Sequence, residues 1–373
     1  MLSEYPSGDA PVLDQGSLDN LIWEEFNSNY DMNPGANVVD PTDPLDWDRG
    51  PLWNHYPSAD LSGTTVDSFG VVSISQDDPK SGANCLKATL QPYSGITLNC
   101  YTYKQDVNEW LYLHEVIRDE LGFDWTYDYY NRMEFHVKIP PQVNDINLNP
   151  GVRNGSIGTY NRSVGSDRGN QASGEQGRLH YYHRFSLPPS NGRWVKVIMD
   201  EHPNHIQGSN GDVDPGNQPY PTLENNRNHF DSLTRFYFAL GNQFHTDDGN
   251  NVIYYFDKFN LYRETRQENE EQVYTISGFY DPSNNRLYVG WQRNKADTDI
   301  IHEVRYSFQD IHDIGWSAAN VAPNGSITPL GAGGYSSMWY DNSTISMGAN
   351  SSIFVAVKPQ NSNLFKQIQL DLT

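Results

Sequence analysis

Residues 177–189 read GRLHYYHRFSLPP, and whether this stretch is a strand or a histidine cluster decides how the chain is built. It is bounded by Gly177 on one side and Pro188–Pro189 on the other, and its interior is rich in aromatic residues, the composition of a strand between turns. Successive strand side chains point to opposite faces. His180, Tyr182 and Arg184 then share one side, and Leu179, Tyr181, His183 and Phe185 the other. The two histidines point apart, so a regular strand here cannot close both on one metal ion.

The same alternation runs through the neighbouring stretches. RMEFHVKIP (132–140) puts Met133, Phe135 and Val137 on a core side and Arg132, Glu134, His136 and Lys138 opposite. RWVKVIMDEH (193–202) offers Val195, Val197 and Met199 to a core, with Lys196 and Asp200 opposite. In SLTRFYFALGN (232–242), Arg235 and Tyr237 oppose Phe236 and Phe238. Further short strand-like runs, NLIWEEF, FGVVSISQ, NCLKATLQP, GITLNCYTY and NVIYYFDKFNLYRE, are each bounded by Asn, Asp, Gly or Pro. One segment, VNEWLYLHEVIRDELGF (107–123), has a helical period through Trp110, Leu113, Val116, Ile117 and Leu121. The expectation is an all-β chain with one inserted helix.

Residues 1–17 are polar and rich in Pro and Gly, and read as an extended arm. The charged break ETRQENEEQ (264–272) separates two rhythms. Residues 18–265 form a large sandwich with two long turn-rich connections, 141–177 and 203–230, of the length that is functional or disordered. Residues 266–373 carry about six short strands in about a hundred residues, the rhythm of an immunoglobulin-like sandwich. Trp291, Tyr306 and Trp316 are its core candidates.

The chain has 373 residues and a formal net charge of −22, from 47 acidic and 25 basic residues. Such a field repels duplex nucleic acid and anionic membranes. Mean hydropathy is −0.70 and no apolar run reaches the length of a membrane span. The first residues lack the basic and apolar segments of a leader. The Tyr, Asn, Trp and Gly usage nevertheless favours a secreted, extracellular or periplasmic protein. Cys85 and Cys100 leave a choice between one disulfide and two buried thiols.

Three stretches, WEEF (23–26), DDPKSGANCLKATL (77–90) and YYFDKFNLYRE (254–264), resemble the calcium-binding jelly rolls found among carbohydrate-binding modules and related lyases. The resemblance spans most of residues 18–265. It implies a structural calcium ion held by Glu25 or Glu24, the turn at Lys80 and Ser81, and Asp257, tying the first strand to the last. Calcium takes six to eight oxygens from such carboxylates and carbonyls. The chain departs from an ordinary binding module in its length, helix and long loops. The second domain resembles the fibronectin type III or immunoglobulin-like modules of secreted polysaccharide-handling proteins.

If the polar strand faces lie in one sheet, they make a surface of Arg, Glu, His, Tyr and Lys. Polysaccharide recognition on that face is the leading expectation, with Arg132, Tyr237, Lys196, Trp125, His202 and His205 as contacts. An alternative is cleavage by His136, His180, Tyr182, Arg184, Arg235 and Glu134. In elimination a cation neutralises a uronate carboxylate, His or Tyr removes the C5 proton and Tyr protonates the leaving oxygen. Hydrolysis needs two carboxylates, for which Glu134 with Asp200 or Glu201 is the available pair. His202 and His205, beside Pro203, also suit one ion together with His229 or His245. A structural subunit that self-associates through edge strands is the third alternative.

Overall fold

The computed structural model describes residues 20–24, 33–34, 52–60, 70–90, 94–101, 103–104, 109–110, 132–140, 156–162, 178–184, 187–200, 206–207, 233–241, 251–269, 272–293, 300–327, 335–341 and 343–373. Among the described residues strand follows strand apart from one short helical segment at 311–318, and the architecture is an all-β sandwich.

The larger sheet runs β20 (Tyr335–Asp341), β17 (Arg286–Arg293), β16 (Val273–Asp281), β12 (Val195–Asp200), β9 (Arg132–Lys138), β15 (Val252–Tyr262), β5 (Cys85–Leu90), β4 (Gly70–Ser75), with β1 (Asn20–Glu24) paired to β15. A second sheet runs β13 (Ile206–Gln207), β11 (Arg178–Arg184), β10 (Ser156–Arg162), β14 (Leu233–Gly241), β6 (Ser94–Tyr101), β3 (Leu52–Asp60), β2 (Asn33–Pro34). Among the described residues all strand pairs are antiparallel except β2 with β3. A third sheet runs β19 (Asn320–Ile327), β18 (His302–Ser307), β21 (Ser352–Pro359), β22 (Lys366–Asp371).

Register explains the first core. Phe135 stands opposite Val197, Met133 opposite Met199, Val137 between Val195 and Phe256, and Tyr254 opposite Ala88. All are buried, and they form the apolar side of the larger sheet, which meets the second sheet where β4 and β5 approach β6. The second core lies between β16, β17 and β20 on one side and the four-stranded sheet on the other. It contains Trp291, Val289, Val304, Val355 and Ile368, and it includes Ile198 of β12. Gly278 lets the layers close: a Cβ there would stand 2.7 Å from a Leu370 methyl and 2.8 Å from the Tyr288 carbonyl oxygen.

The chain after the charged break does not begin a detached sheet. β16 pairs directly with β12, Lys196 opposite Gly278 and Ile198 opposite Ile276, so one sheet runs through both sandwiches. Trp291 is buried and donates from Nε1 to Nδ1 of His302 at 3.1 Å; Tyr306 packs at the edge of that core. Trp316 packs instead with Phe365 under the short helix α1 (Ile311–Ile314), the one α-helix among the described residues.

The expected helix at 107–123 is corrected at its start. Glu109–Trp110 is β8, paired with β7 (Tyr103–Lys104), and residues 111–131 lie outside the described residues. Cys85 is a free buried thiol whose Sγ donates to the Asp77 carbonyl at 3.6 Å, so it forms no disulfide; burial first, then Asp257, pushes it up to about 11. The N-terminal arm, residues 1–17, lies outside the described residues.

Candidate functional site

The polar strand faces expected to share one sheet are divided between two. Arg132, Glu134, His136 and Lys196 belong to β9 and β12 of the larger sheet, whereas His180, Tyr182, Arg184, Arg235 and Tyr237 belong to β11 and β14 of the second. The two sets are layers of a sandwich and do not make a common surface.

In the second sheet, register sets the residues of neighbouring strands in rows. His180 stands opposite Tyr160, Tyr160 opposite Arg235, and Arg235 opposite Tyr101, one row across four neighbouring strands. The next row of the same parity is Tyr182, Gly158, Tyr237, Asn99 and Asn54. Arg184, Ser156, Ala239, Thr97 and Tyr56 form a third. The intervening rows, Ile157 with His183, Phe238 and Leu98, and Thr159 with Tyr181, Phe236 and Cys100, are largely apolar. With neighbouring strands about 5 Å apart, the His180 row spans about 15 Å. Tyr160, Tyr101, Asn99 and Tyr56 are members that sequence reading missed. Tyr160 sits within the 141–177 connection, which reads as loop because Gly and Asn surround SIGTYNR.

The other set is committed elsewhere. Arg132 donates from Nε to Asp200 Oδ1 at 2.7 Å and from Nη2 to Glu268 Oε2 at 2.7 Å, and its Nη1 lies 3.4 Å from Glu264. Lys366 of β22 bonds Asp200 and lies 3.9 Å from Glu268, while His312 Nε2 pairs with Glu268 Oε1 at 2.8 Å. Burial alone would lift the Glu268 carboxyl, but Arg132, His312 and Lys366 outweigh it and hold the group at about 2. Arg132 is likewise lowered by burial yet held well above its ordinary value by Asp200 and Glu268. Expected as a sugar contact, Arg132 is instead 2% exposed and sealed by the C-terminal sandwich. That is a correction, and its cause is the pairing of β16 with β12, which brings Lys366 and the charged break over the strand ends.

His136 is buried with Nδ1 lacking a hydrogen-bond partner, and burial, then Lys196, Lys80 and Lys258, hold it well below the ordinary histidine value. Glu134 lies between them, 3.0 Å from Lys196 and 3.9 Å from His136. Trp125, His202, His205, His229, His245 and Glu25 lie outside the described residues. Among the described residues no group of three His, Cys, Asp or Glu side chains is placed to hold a metal ion.

The three segments expected around calcium do meet. Glu24 stands opposite Phe259 at a bulge, and the connection after β4 folds onto the fully buried Asp257. Asp257 Oδ2 accepts the backbone N–H of Lys80 at 2.6 Å and of Ser81 at 3.0 Å, and Oδ1 accepts that of Lys258 at 2.7 Å. Lys258 has φ +53° there.

No protein-family model matches the chain, and no curated protein matches it in sequence. Among solved structures it is similar to the glycoside hydrolase domain of Endo-D from Streptococcus pneumoniae R6, at 7% identity and TM-score 0.27 over 86% of this chain, and it spans only 37% of that domain's length. It is similar also to the CBM22-1 xylan-binding domain of Xyn10C from Paenibacillus barcinonensis, at 14% identity and TM-score 0.22 over 54% of this chain and 86% of that one. A third is the endo-β-1,4-glucuronan lyase of Trichoderma reesei, at 13% identity and TM-score 0.27 over 57% of this chain and 95% of that one. At these scores the site must be read from the chain's own residues.

Proposed function

We propose that the chain is a secreted polysaccharide-binding protein that holds its ligand along the polar rows of the second sheet. The observation that carries this is the register: His180, Tyr160, Arg235 and Tyr101 fall in one row, and Tyr182, Tyr237, Asn99 and Asn54 in the next. Phenol and imidazole rings pack on the C–H faces of sugars, Asn accepts and donates to hydroxyls, and Arg pairs with a carboxylate in two parallel hydrogen bonds. A flat arrangement of these groups suits an extended chain with acidic residues. Retention on immobilised polyuronates, lost in Arg235→Ala with Tyr237→Ala, tests the reading; equal retention by that double variant overturns it.

A specific observation favours a second reading, elimination. The row around Tyr160 contains a cation, a base and an acid on adjacent strands. Arg235 would neutralise the uronate, and His180 would take the C5 proton. The C5 electron pair would form the C4–C5 double bond as the C4–O bond breaks, and Tyr160 would protonate the departing oxygen. Ultraviolet absorbance of the unsaturated product distinguishes cleavage from binding.

Calcium belongs to the proposal as a structural ion. The approach of β1 and of the Lys80–Ser81 turn to β15 supports it, with Glu25 or Glu24, turn carbonyl oxygens and Asp257 as the proposed donors. The carboxylate suits an ion, but the turn meets Asp257 through the N–H groups of Lys80 and Ser81, whereas an ion would take the turn's carbonyl oxygens; with Lys258 these donors already brace the junction without an ion. Chelation is therefore expected to lower the melting temperature, without unfolding the chain, and an unchanged melt removes calcium from the reading. The C-terminal sandwich, seven strands in two packed antiparallel sheets, is read as a fibronectin type III or immunoglobulin-like unit.

A further inference from the structure

On the outer side of the larger sheet, away from the polar rows, a cavity of about 230 Å³ is lined by Lys138, Ile139, Pro140, Asn251, Ile253 and Tyr255. The position follows from register. Lys138 of β9 stands opposite Tyr255 of β15, and Tyr255 opposite Lys87 of β5, so two ammonium groups attend one phenol ring. Lys87 Nζ lies 5.6 Å and Lys138 Nζ 5.9 Å from the Tyr255 centroid, and Lys138 lies 4.8 Å from the Trp194 ring. Both lysines are held by a single turn: Asp77 pairs with Lys87 at 2.8 Å, and Asp78 pairs with Lys138.

The two members of the second pair differ in their surroundings. The Lys138 side chain is 9% exposed, whereas that of Asp78 is 80% exposed. A buried ammonium paired with a carboxylate that stands in solvent is a site that another carboxylate can enter by displacing the first. The remaining walls divide in the same sense. Ile139, Pro140, Ile253 and the Tyr255 ring are apolar, and Asn251 adds one amide. The volume is below the range of about 300–1,000 Å³ usual for drug-sized ligands and suits one ring.

We propose that this cavity is a second binding site, for a single six-membered sugar ring carrying a carboxylate. The carboxylate pairs with Lys138 in place of Asp78, the C–H face of the ring lies against Tyr255 and Ile253, and a hydroxyl meets Asn251. The choice of a sugar acid rests on the glycan reading above; the site itself is separate from the polar rows and lies on the other sheet.

The test is titration of the full chain with sodium D-glucuronate, methyl glucoside and benzoate, followed by the fluorescence difference between wild type and Trp194→Phe. Glucuronate alone is expected to give a saturable signal. Lys138→Met is expected to weaken it at least tenfold, and Asp78→Asn, which removes the competing carboxylate at an exposed position, to strengthen it several-fold. The opposite signs separate ligand displacement from loss of structure, since Asp78→Asn leaves Lys138 and the cavity walls in place. Arg235→Ala with Tyr237→Ala should abolish polymer retention and leave this signal intact, so failure of one site is distinguishable from failure of the other. The proposal is overturned by equal binding of methyl glucoside, by benzoate binding in place of glucuronate, by no saturable signal, or by an Asp78→Asn variant that binds no better than wild type.

Discussion

Asp200→Ala removes the centre of the buried network that joins the two sandwiches, and its consequence can be worked from the geometry. Asp200 is 1% exposed and accepts from both Arg132 and Lys366. Once it is gone, Arg132 keeps Glu268 at 2.7 Å and Glu264 at 3.4 Å, but Lys366, fully buried, has only Glu268 at 3.9 Å, already shared with Arg132 and His312. The buried Lys366 ammonium is then left without a close carboxylate among the described residues. Breaking a buried pair in this way costs about 3–5 kcal/mol. Over 373 residues, at about 2.1 cal/mol/K per residue, that corresponds to about 4–6 °C if both sandwiches melt together.

The companion variant, Asp200→Leu with Lys366→Met, removes both charges and keeps the Arg132–Glu268 pair. Apolar replacement of a whole buried pair is often near neutral, so the double variant should regain about 2 kcal/mol or more relative to the sum of its singles. Urea unfolding, followed in parallel by far-ultraviolet dichroism and tryptophan emission, measures the wild type, Asp200→Ala, and the cycle of Asp200→Leu, Lys366→Met and their double variant. Coincident transitions in the wild type and separated ones in Asp200→Ala are expected, because the network joins β9, β12 and β22. A loss below about 1 kcal/mol for Asp200→Ala, or strict additivity in the cycle, would refute the assignment of a paired buried network.

Glu268→Gln addresses the same network through pH. The folded carboxyl is held at about 2 against an ordinary 4.5, so its stabilisation is complete above about pH 4.5 and lost as pH falls toward 2; the variant should show a shallower acid limb in that window when urea midpoints are plotted against pH. Gly278→Ala should cost about 1–3 kcal/mol by overpacking, because its methyl would meet Leu370 and the Tyr288 carbonyl; an unchanged midpoint would mean that β16 and β22 separate freely. Asp257→Asn replaces a carboxylate accepting three N–H groups with an amide that has one acceptor oxygen. About 2–3 kcal/mol should be lost, with hydrogen exchange accelerated at the amides of Lys80, Ser81 and Lys258.

Much of the strand content was legible because alternation is local: Met133, Phe135 and Val137 face the core as their spacing implies, and the polar residues between them face away. The fate of the polar face was not local. Arg132 and Asp200 read as a solvated or ligand-binding edge, and ETRQENEEQ as an exposed linker, because each charge is far from its partner in the chain, by 136 residues for Arg132 and Glu268 and by 166 for Asp200 and Lys366. Only the pairing of β12 with β16 brings them together. The same limit hid the second sheet. Alternation correctly split HYYH into two faces, but it could not say that His180 faces Tyr160 rather than His136, since Tyr160 lies in a stretch whose Gly and Asn content mimics a loop.

The seam also bears on which face is free to bind. The connection after β4 lays Asp78 against Lys138 and Lys80 against Asp257 and Asp371, and the C-terminal sandwich seals Arg132 and Asp200. Along β9 and β12 the outer side of the larger sheet is thereby occupied, except at the end where Lys138 and Tyr255 line their cavity. A polymer several sugars long therefore has no continuous track there. The rows of the second sheet keep register across β11, β10, β14 and β6 from Ser156 to Tyr160 and shift between Tyr160 and Asn161, which supports proposing the extended ligand there and the single ring in the cavity.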